Sequence, residues 1–272
     1  MGWRKPERLA LLALLAAPLL QAAEPFLIEN VRVFDGVGTL APTNVRIAEG
    51  RIMAIGRTVK AAAGDRVIDG AGKSLLPGLI DAHMHALSRD SVQWALTFGV
   101  TTCLDMFTSV EIGSAIRAEQ ASATAVDIAD LRSAGILVTA PGGHGTEYGL
   151  AIPTLSRPEN AQKFVDARIA EGSDYIKLVK DDGSAFGFHR PTLDQATVSA
   201  AVRAAHARHK LAIVHIATLA DAREALAAGA DGLAHVYAGV PDAAVARAAA
   251  DQHAFWTPTL GVTALSCPTC PA

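Results

Sequence analysis

The chain predicts an α/β fold built on a parallel sheet, and three observations carry that expectation. From Leu76 onward, short apolar runs alternate with helical stretches. Half of the 272 residues are hydrophobic, ample for a large buried core. Aromatics make up only 5%, which suits alanine-rich helices packed round a sheet. Such alternation means a parallel sheet with crossover helices, open or closed.

The first 23 residues stand apart. Arg4, Lys5 and Arg8 precede the apolar run LALLALLAAPLL, and the small residues Ala22 and Ala23 follow. That order reads as a secretory signal peptide cut after Ala22 or Ala23. An apolar stretch of this length falls short of the roughly 20 residues a spanning helix needs. Export to the periplasm, or secretion, is therefore expected, with no stable membrane anchor after cleavage.

Residues 24–75 alternate apolar and polar side chains and break at glycine or asparagine, as in FLIENVRVFDG and NVRIAEGRIMAIG. They read as strands of a small β domain set before the main one. Residues 76–272 form the second domain. Apolar strands are expected at 79–84, 99–105, 135–139, 174–180, 211–216, 231–236 and 254–260. Helical stretches such as VEIGSAIRAEQ and LADAREALAAG lie between them. The pieces AEGSDYIK and AAGADGLAH repeat one device, in which a helix ends at glycine, Asp follows and a strand begins. Seven βα units are visible where a closed barrel of this type has eight.

A net charge of -3 without a basic run argues against nucleic acid as a partner. Cys103 sits in an apolar strand and reads as inert core. Cys267 and Cys270 form a CxxC in the last six residues, too few ligands for a closed zinc site.

Candidate chemistry gathers at strand ends. His83 and His85 are two apart on a strand, so both project from one face and can grip one ion. The pair alone is weak evidence. Lys177 lies between Ile176 and Leu178 in DYIKLV. An interior amine is costly to keep charged, and carboxylation by CO₂ is one resolution; a salt-bridged lysine is the bland alternative, and Lys180 beside Asp181 and Asp182 fits that description. His215 and His235 each close an apolar strand, where a hydrogen-bonded core histidine is the ordinary reading for either alone. His144, in the glycine-rich PGGHGTEYG, is a candidate substrate contact, or else a turn residue. His206 and His209 end a helix, where the dipole accounts for them.

LLPGLIDAHMH, GGHG after the third strand, DYIKL, VH, AH and TPTL together resemble the amidohydrolase superfamily, in its imidazolonepropionase-like and Xaa-Pro dipeptidase-like branch. The resemblance runs from about residue 26 to 262. It implies a (β/α)₈ TIM-type barrel, here incomplete with about seven βα units and preceded by part of a β-sandwich. It also implies one or two divalent metal ions, zinc the expected one. By motif position His83 and His85 hold one ion, a carboxylated Lys177 bridges, and His215 and His235 hold the second.

The implied reaction is hydrolysis of a C–N bond in an amide, cyclic amide or dipeptide-like small molecule by metal-activated hydroxide. The family's eighth-strand aspartate, which moves the proton, does not appear before Ala272, so no catalytic acid or base is assigned and the chain reads as C-terminally truncated. Where dipeptidase-like relatives commonly carry tyrosine, two residues past the fifth-strand histidine, this chain has Ala217. A truncated, catalytically silent copy, an Xaa-Pro or carboxy-dipeptidase-type peptidase, and a binding module without chemistry stand as alternatives. A homo-oligomer is left open.

Overall fold

The structure is a computed structural model that describes residues 24–122, 126–237 and 239–261. The leader expected over 1–23 and the Cys267/Cys270 tail lie outside the described residues. Two compact units divide at Pro77 and Gly78. Among the described residues no helix is long and apolar enough to cross a membrane.

The first unit is one mixed sheet of five strands. β1 (Phe26–Phe34), β2 (Thr39–Ala48) and β3 (Arg51–Gly56) pair antiparallel in sequence. β4 (Arg66–Asp69) and β5 (Ser74–Leu75) both join β1 in parallel. Period-2 alternation puts Leu27, Val31, Val33 and Val45 inside, as the pleat requires. At Gly70 a Cβ would come within 2.7 Å of the Glu29 carbonyl oxygen, so only glycine lets the chain pass there.

The second unit is the strand–helix alternation. β6 (Leu79–Met84), α1 (Arg89–Thr97), β7 (Val100–Asp105), α2 (Val110–Gln120) and β8 (Asp130–Ser133) come first. α3 (Ala161–Ala170), β9 (Ile176–Lys180), α4 (Gln195–His206), β10 (Ala212–Ile216) and α5 (Leu219–Ala227) follow. β11 (Gly232–Ala234), α6 (Ala243–Asp251) and β12 (Phe255–Thr257) complete it. All pairings are parallel, in the orders β6-β7-β8 and β9-β10-β11-β12. A bridge from Val138 to Leu178 joins the two runs. This is the incomplete TIM-type barrel expected, open among the described residues between β6 and β12, each paired on one side only.

The third strand corrects the sequence reading. Pairing with β7 is made by Asp130–Ser133, not by 135–139. The chain then turns at Gly135, whose φ is +61°, and Val138 reaches β9 alone, donating to Lys177 O and accepting from Val179 N. One bent strand thus serves both neighbours. Its first half buries only Leu131 and Ser133, so the more apolar second half drew the assignment.

Helix starts follow local chemistry. Ser109, Asp194 and Asp242 each accept a backbone N–H of the first turn, and Thr218 with Asp221 forms a reciprocal capping box, satisfying donors that would otherwise be orphaned. The Gly-x-Asp device has a second use. After Gly172, Asp174 accepts Ser133 N–H and donates its own N–H to Ser133 O. After Gly229, Asp231 does the same with Ala212. Each aspartate fixes where its strand meets the neighbouring one. The main core fills the space between helices α3–α6 and strands β9–β11, with Leu178, Val198, Val214 and Leu233 fully buried.

Gly135→Ala should lower stability by at least about 1 kcal/mol in urea unfolding, because alanine is strained at positive φ and its Cβ would sit 3.1 Å from Ser173 Oγ. An unchanged midpoint would show that the bend needs no glycine.

Candidate active site

Parallel pairing decides what meets at the rim. Lys177 pairs with Ile213, and His215 lies between Val179 and Ala234 on the two flanking strands. Side chains two apart share a face, so Lys177 and His215 point the same way. His83 is the fifth residue of β6, and His85 follows its end. All six residues singled out from sequence, His83, His85, His144, Lys177, His215 and His235, line one cavity of about 1070 Å³.

The imidazoles form a chain across that cavity. Ring centroids are 5.6 Å apart for His83 and His85, and 4.6 Å for His83 and His235. They are 4.3 Å apart for His235 and His215, and 4.9 Å for His215 and His144. Among the described residues no three His, Cys, Asp or Glu side chains stand close enough together to hold an ion as they are.

Three rings have one nitrogen beside a neighbouring oxygen. His85 Nδ1 faces the Phe107 carbonyl at 3.3 Å, and His235 Nδ1 faces Thr259 Oγ1 at 2.7 Å. For His215 it is Nε2 that faces Asp181 Oδ2, at 3.6 Å. His83 Nδ1 and Lys177 Nζ are buried without a hydrogen-bond partner among the described residues. Orphaned buried polar atoms of this kind call for a partner.

His235 carries backbone strain. Its φ is +71°, unusual for a residue with a Cβ. β12 and the residues after it hold it there: its N–H donates to Thr257 O, and Trp256 Nε1 donates to its carbonyl. Strain kept in place by so many contacts marks functional positions.

β6 is held as firmly. Asp105, fully buried, accepts Ala86 N–H at 2.8 Å and the Ser133 hydroxyl at 2.5 Å. Thr108 donates to the Ala86 carbonyl at 2.6 Å. The backbone after His85 is thus clamped on both sides by β7 and its loop.

Electrostatics explain why the cluster can exist. Burial, then the neighbouring Lys177 and histidines, pushes His83 and His235 far below the ordinary imidazole value. Burial pushes His85 down and His215 to about 4. Burial alone takes the Lys177 amine to about 7. The bases are therefore packed largely as neutral groups. Burial raises the Asp181 carboxyl, but the neighbouring His215 and the bond from Gly183 N–H outweigh it and hold it below the usual range.

His144 belongs to a separate polar wall. Its Nδ1 lies 2.7 Å from Glu147 Oε1 and 2.8 Å from Arg190 Nη1, and Tyr148 Oη is 3.1 Å from its Nε2. Arg190 also pairs with Glu147 and lies over the Phe188 ring at 4.5 Å. A Cβ at Gly143 would lie 2.9 Å from Pro191 O and 3.0 Å from Ala140 O, so that glycine is what brings His144 to the cavity.

Other residues fall elsewhere. Lys180 donates to Leu193 O and pairs with Glu224 at 3.0 Å, so its acid is not one of the adjacent aspartates. His206 does end α4, with Nε2 at 2.8 Å from Asp231. Cys103 is buried in the core. Sequence reasoning passed over Thr259 and Trp256, which hold His235, and Asp181, which faces His215. Asp181 carried a signal, four residues beyond Lys177 at the end of the same strand.

Comparison with known proteins agrees with this architecture. The Amidohydrolase family matches residues 74–259, and the chain belongs to that family. Over 84 residues it is 38% identical to adenine deaminase 2 of Shouchella clausii (strain KSM-K16), covering 28% of this chain and 15% of that protein. Over 59 residues it is 41% identical to a dihydroorotase of Thermus aquaticus, covering 22% of this chain and 13% of that one. The matches thus span a small part of these curated relatives. Among solved structures, a Xaa-Pro dipeptidase with methionine in its active site superposes with a TM-score of 0.73 at 20% identity, covering 89% of this chain and 68% of that one. The A. niger ochratoxinase gives 0.72 at 17% identity, covering 89% and 66%.

The depressed imidazoles set a pH dependence. A histidine whose folded value lies below its unfolded value of about 6.5 contributes stability that is present above 6.5 and lost as pH falls towards the folded value. Four histidines act this way. Asp105, raised by burial to about 6, and Asp221, also raised by burial, act oppositely below about 6 but are two groups against four. Between pH 7.5 and 5 the melting temperature of the metal-free protein should fall by about 10 °C; a flat profile would show the rings are not buried as neutral bases.

Proposed function

We propose that this chain is an exported, divalent-metal-dependent amidohydrolase that cleaves a C–N bond in an amide, cyclic amide or dipeptide-like substrate. The observation that carries this reading is the convergence of His83, His85, His215, His235 and the orphaned Lys177 amine on one cavity. Nitrogen donors kept neutral by burial are the right chemistry for a divalent ion. His83 and His85 would hold one ion, His215 and His235 a second, and Lys177, carboxylated, would bridge them. Zinc is the expected metal. Bound there, a divalent ion polarises the scissile carbonyl and lowers the pKa of water towards neutrality.

The protein's own groups do the rest. A lysine amine near 7 is a competent nucleophile towards CO₂: its nitrogen bonds to carbon, a proton leaves, and the anionic product supplies charge that a cation needs. Family membership and the enzymes it resembles support hydrolysis at carbon–nitrogen bonds. The cavity wall is mostly apolar, with Met106, Leu137, Val179 and Ile216, and suits a small molecule with an apolar body. His144, Tyr148 and Arg190 supply the polar contacts that orient it.

Two measurements test the metal reading. Protein reconstituted with zinc should retain about one to two ions per chain by elemental analysis, and His83→Ala should weaken retention by at least about 10-fold. With ¹³C-bicarbonate, a carbamate carbon signal should appear and vanish in Lys177→Ala. Retention of no metal by the wild type would overturn the assignment.

Export rests on the basic, apolar and small-residue order of the first 23 residues. Expressed in a Gram-negative host, the chain should reach the periplasm with a mass starting at Ala23 or Glu24. An uncut chain held in the cytoplasm would remove that part of the proposal.

A further inference from the structure

We propose that Asp105 is the positioning residue for His83 and His85, presetting both for an ion by holding the end of β6 where its ladder slips. The proposal rests on the metal reading above and deepens it. Pairing between β6 and β7 is irregular at the histidines. Asp81 stands opposite Cys103 and Met84 opposite Asp105, so Ala82 and His83 together face the single residue Leu104. That is a β-bulge, which bends a strand and re-aims its side chains. β6 has no second neighbour among the described residues to steady it.

Asp105 takes over at that point. It ends β7, in register with Met84 on one side and Ser133 on the other, and is fully buried. Its Oδ1 accepts Ala86 N–H at 2.8 Å and Phe107 N–H at 3.4 Å. Its Oδ2 accepts the Ser133 hydroxyl at 2.5 Å. Met106 N–H donates to the Met84 carbonyl at 2.9 Å. The peptides on both sides of His85 are therefore held from the β7 side, one by backbone and one by this carboxylate. Within the bulge, Asp81 Oδ1 accepts His83 N–H at 3.0 Å. Ligands whose geometry is fixed in advance lose less freedom when an ion binds.

The alternative is that Asp105 only ties β7 to β8, and its two oxygens separate these roles. In Co²⁺ titrations followed by visible absorption, Asp105→Ala should bind an ion about 10–100-fold more weakly. Ser133→Ala removes the Oδ2 bond and leaves those of Oδ1 to Ala86 and Phe107. It should lower the melting temperature and keep Co²⁺ affinity within about threefold. Asp105→Asn keeps an acceptor for Ala86 and offers an amide to Ser133, so its affinity should stay within about threefold of the wild type. Asp105→Ser, with one hydroxyl for two strands, stands in for alanine if that variant does not fold. In the metal-free protein, Asp105→Ala should speed deuterium exchange of the Ala86 amide at least about 10-fold relative to Val214 in β10, the mark of local opening.

Asp105→Ala binding Co²⁺ as tightly as the wild type would overturn the proposal, and so would Ser133→Ala losing as much affinity. Ala86 exchange that rises only in step with Val214 would overturn it too. If the wild type binds no Co²⁺ at all, the metal reading falls, while Ala86 exchange still decides whether Asp105 holds the end of β6.

Discussion

The site depends on one constraint: a lysine and four imidazoles share a desolvated rim with little anionic charge to balance them. Charged, they would repel one another at ring separations of 4.3–5.6 Å in a medium that screens poorly. Burial pushes all five below their ordinary values, which favours the neutral form in which nitrogen is a metal donor. Asp181 and Asp105 are the buried carboxylates nearest this cluster, and neither is a counter-ion to Lys177. Asp105 spends its oxygens on Ala86, Phe107 and Ser133. Asp181 spends its own on Gly183 and His215. The amine is left with burial alone acting on it, which lowers it to about 7.

Holding such a cluster open demands rigidity from the backbone around it. The fold supplies it at the edge strand β6 and just after β11, beside the edge strand β12. At β6, Asp105 and Thr108 grip Ala86 from either side, so the histidine before it cannot swing with the loop. Just after β11, His235 takes a left-handed conformation, uncommon outside glycine. It stays there because the β12 segment bonds its N–H, its carbonyl and its ring. Strand pairing thus does more than build the core: the hydrogen bonds that close each ladder also aim a side chain.

How much of this was legible in the sequence follows from what each signal measures. Apolar runs ending in histidine were readable because parallel strands deliver their C-terminal ends to one mouth. His83, His85, Lys177, His215 and His235 could be placed together without any tertiary information. The third strand was misplaced because apolarity was taken as the measure of a strand. Asp130–Ser133 earns its place through the Asp174 cap and two inward side chains, and Val138 contributes to a different neighbour. The groups that orient the histidines were not legible. Thr259 and Phe107 act through a hydroxyl and a carbonyl, and neither has a sequence pattern. Asp181, on the cavity wall beside His215, carries no motif because an aspartate after an apolar strand is common on any surface.

The alternation of ring orientation is the last step. A strand end fixes where Cβ points but leaves χ2 free to turn the imidazole by half a revolution, which exchanges the two nitrogens' roles. Geometry alone therefore underdetermines a histidine site, and outer partners must choose. Phe107 and Thr259 offer weak, neutral oxygens to rings that the backbone already constrains. His215 sits in mid-ladder on β10, with regular pairing on both sides and no loop to hold its ring. There the group facing its Nε2 is the Asp181 carboxylate, 3.6 Å away. Backbone pairing and neighbouring oxygens thus share the work of placing three unlike rings in one cavity.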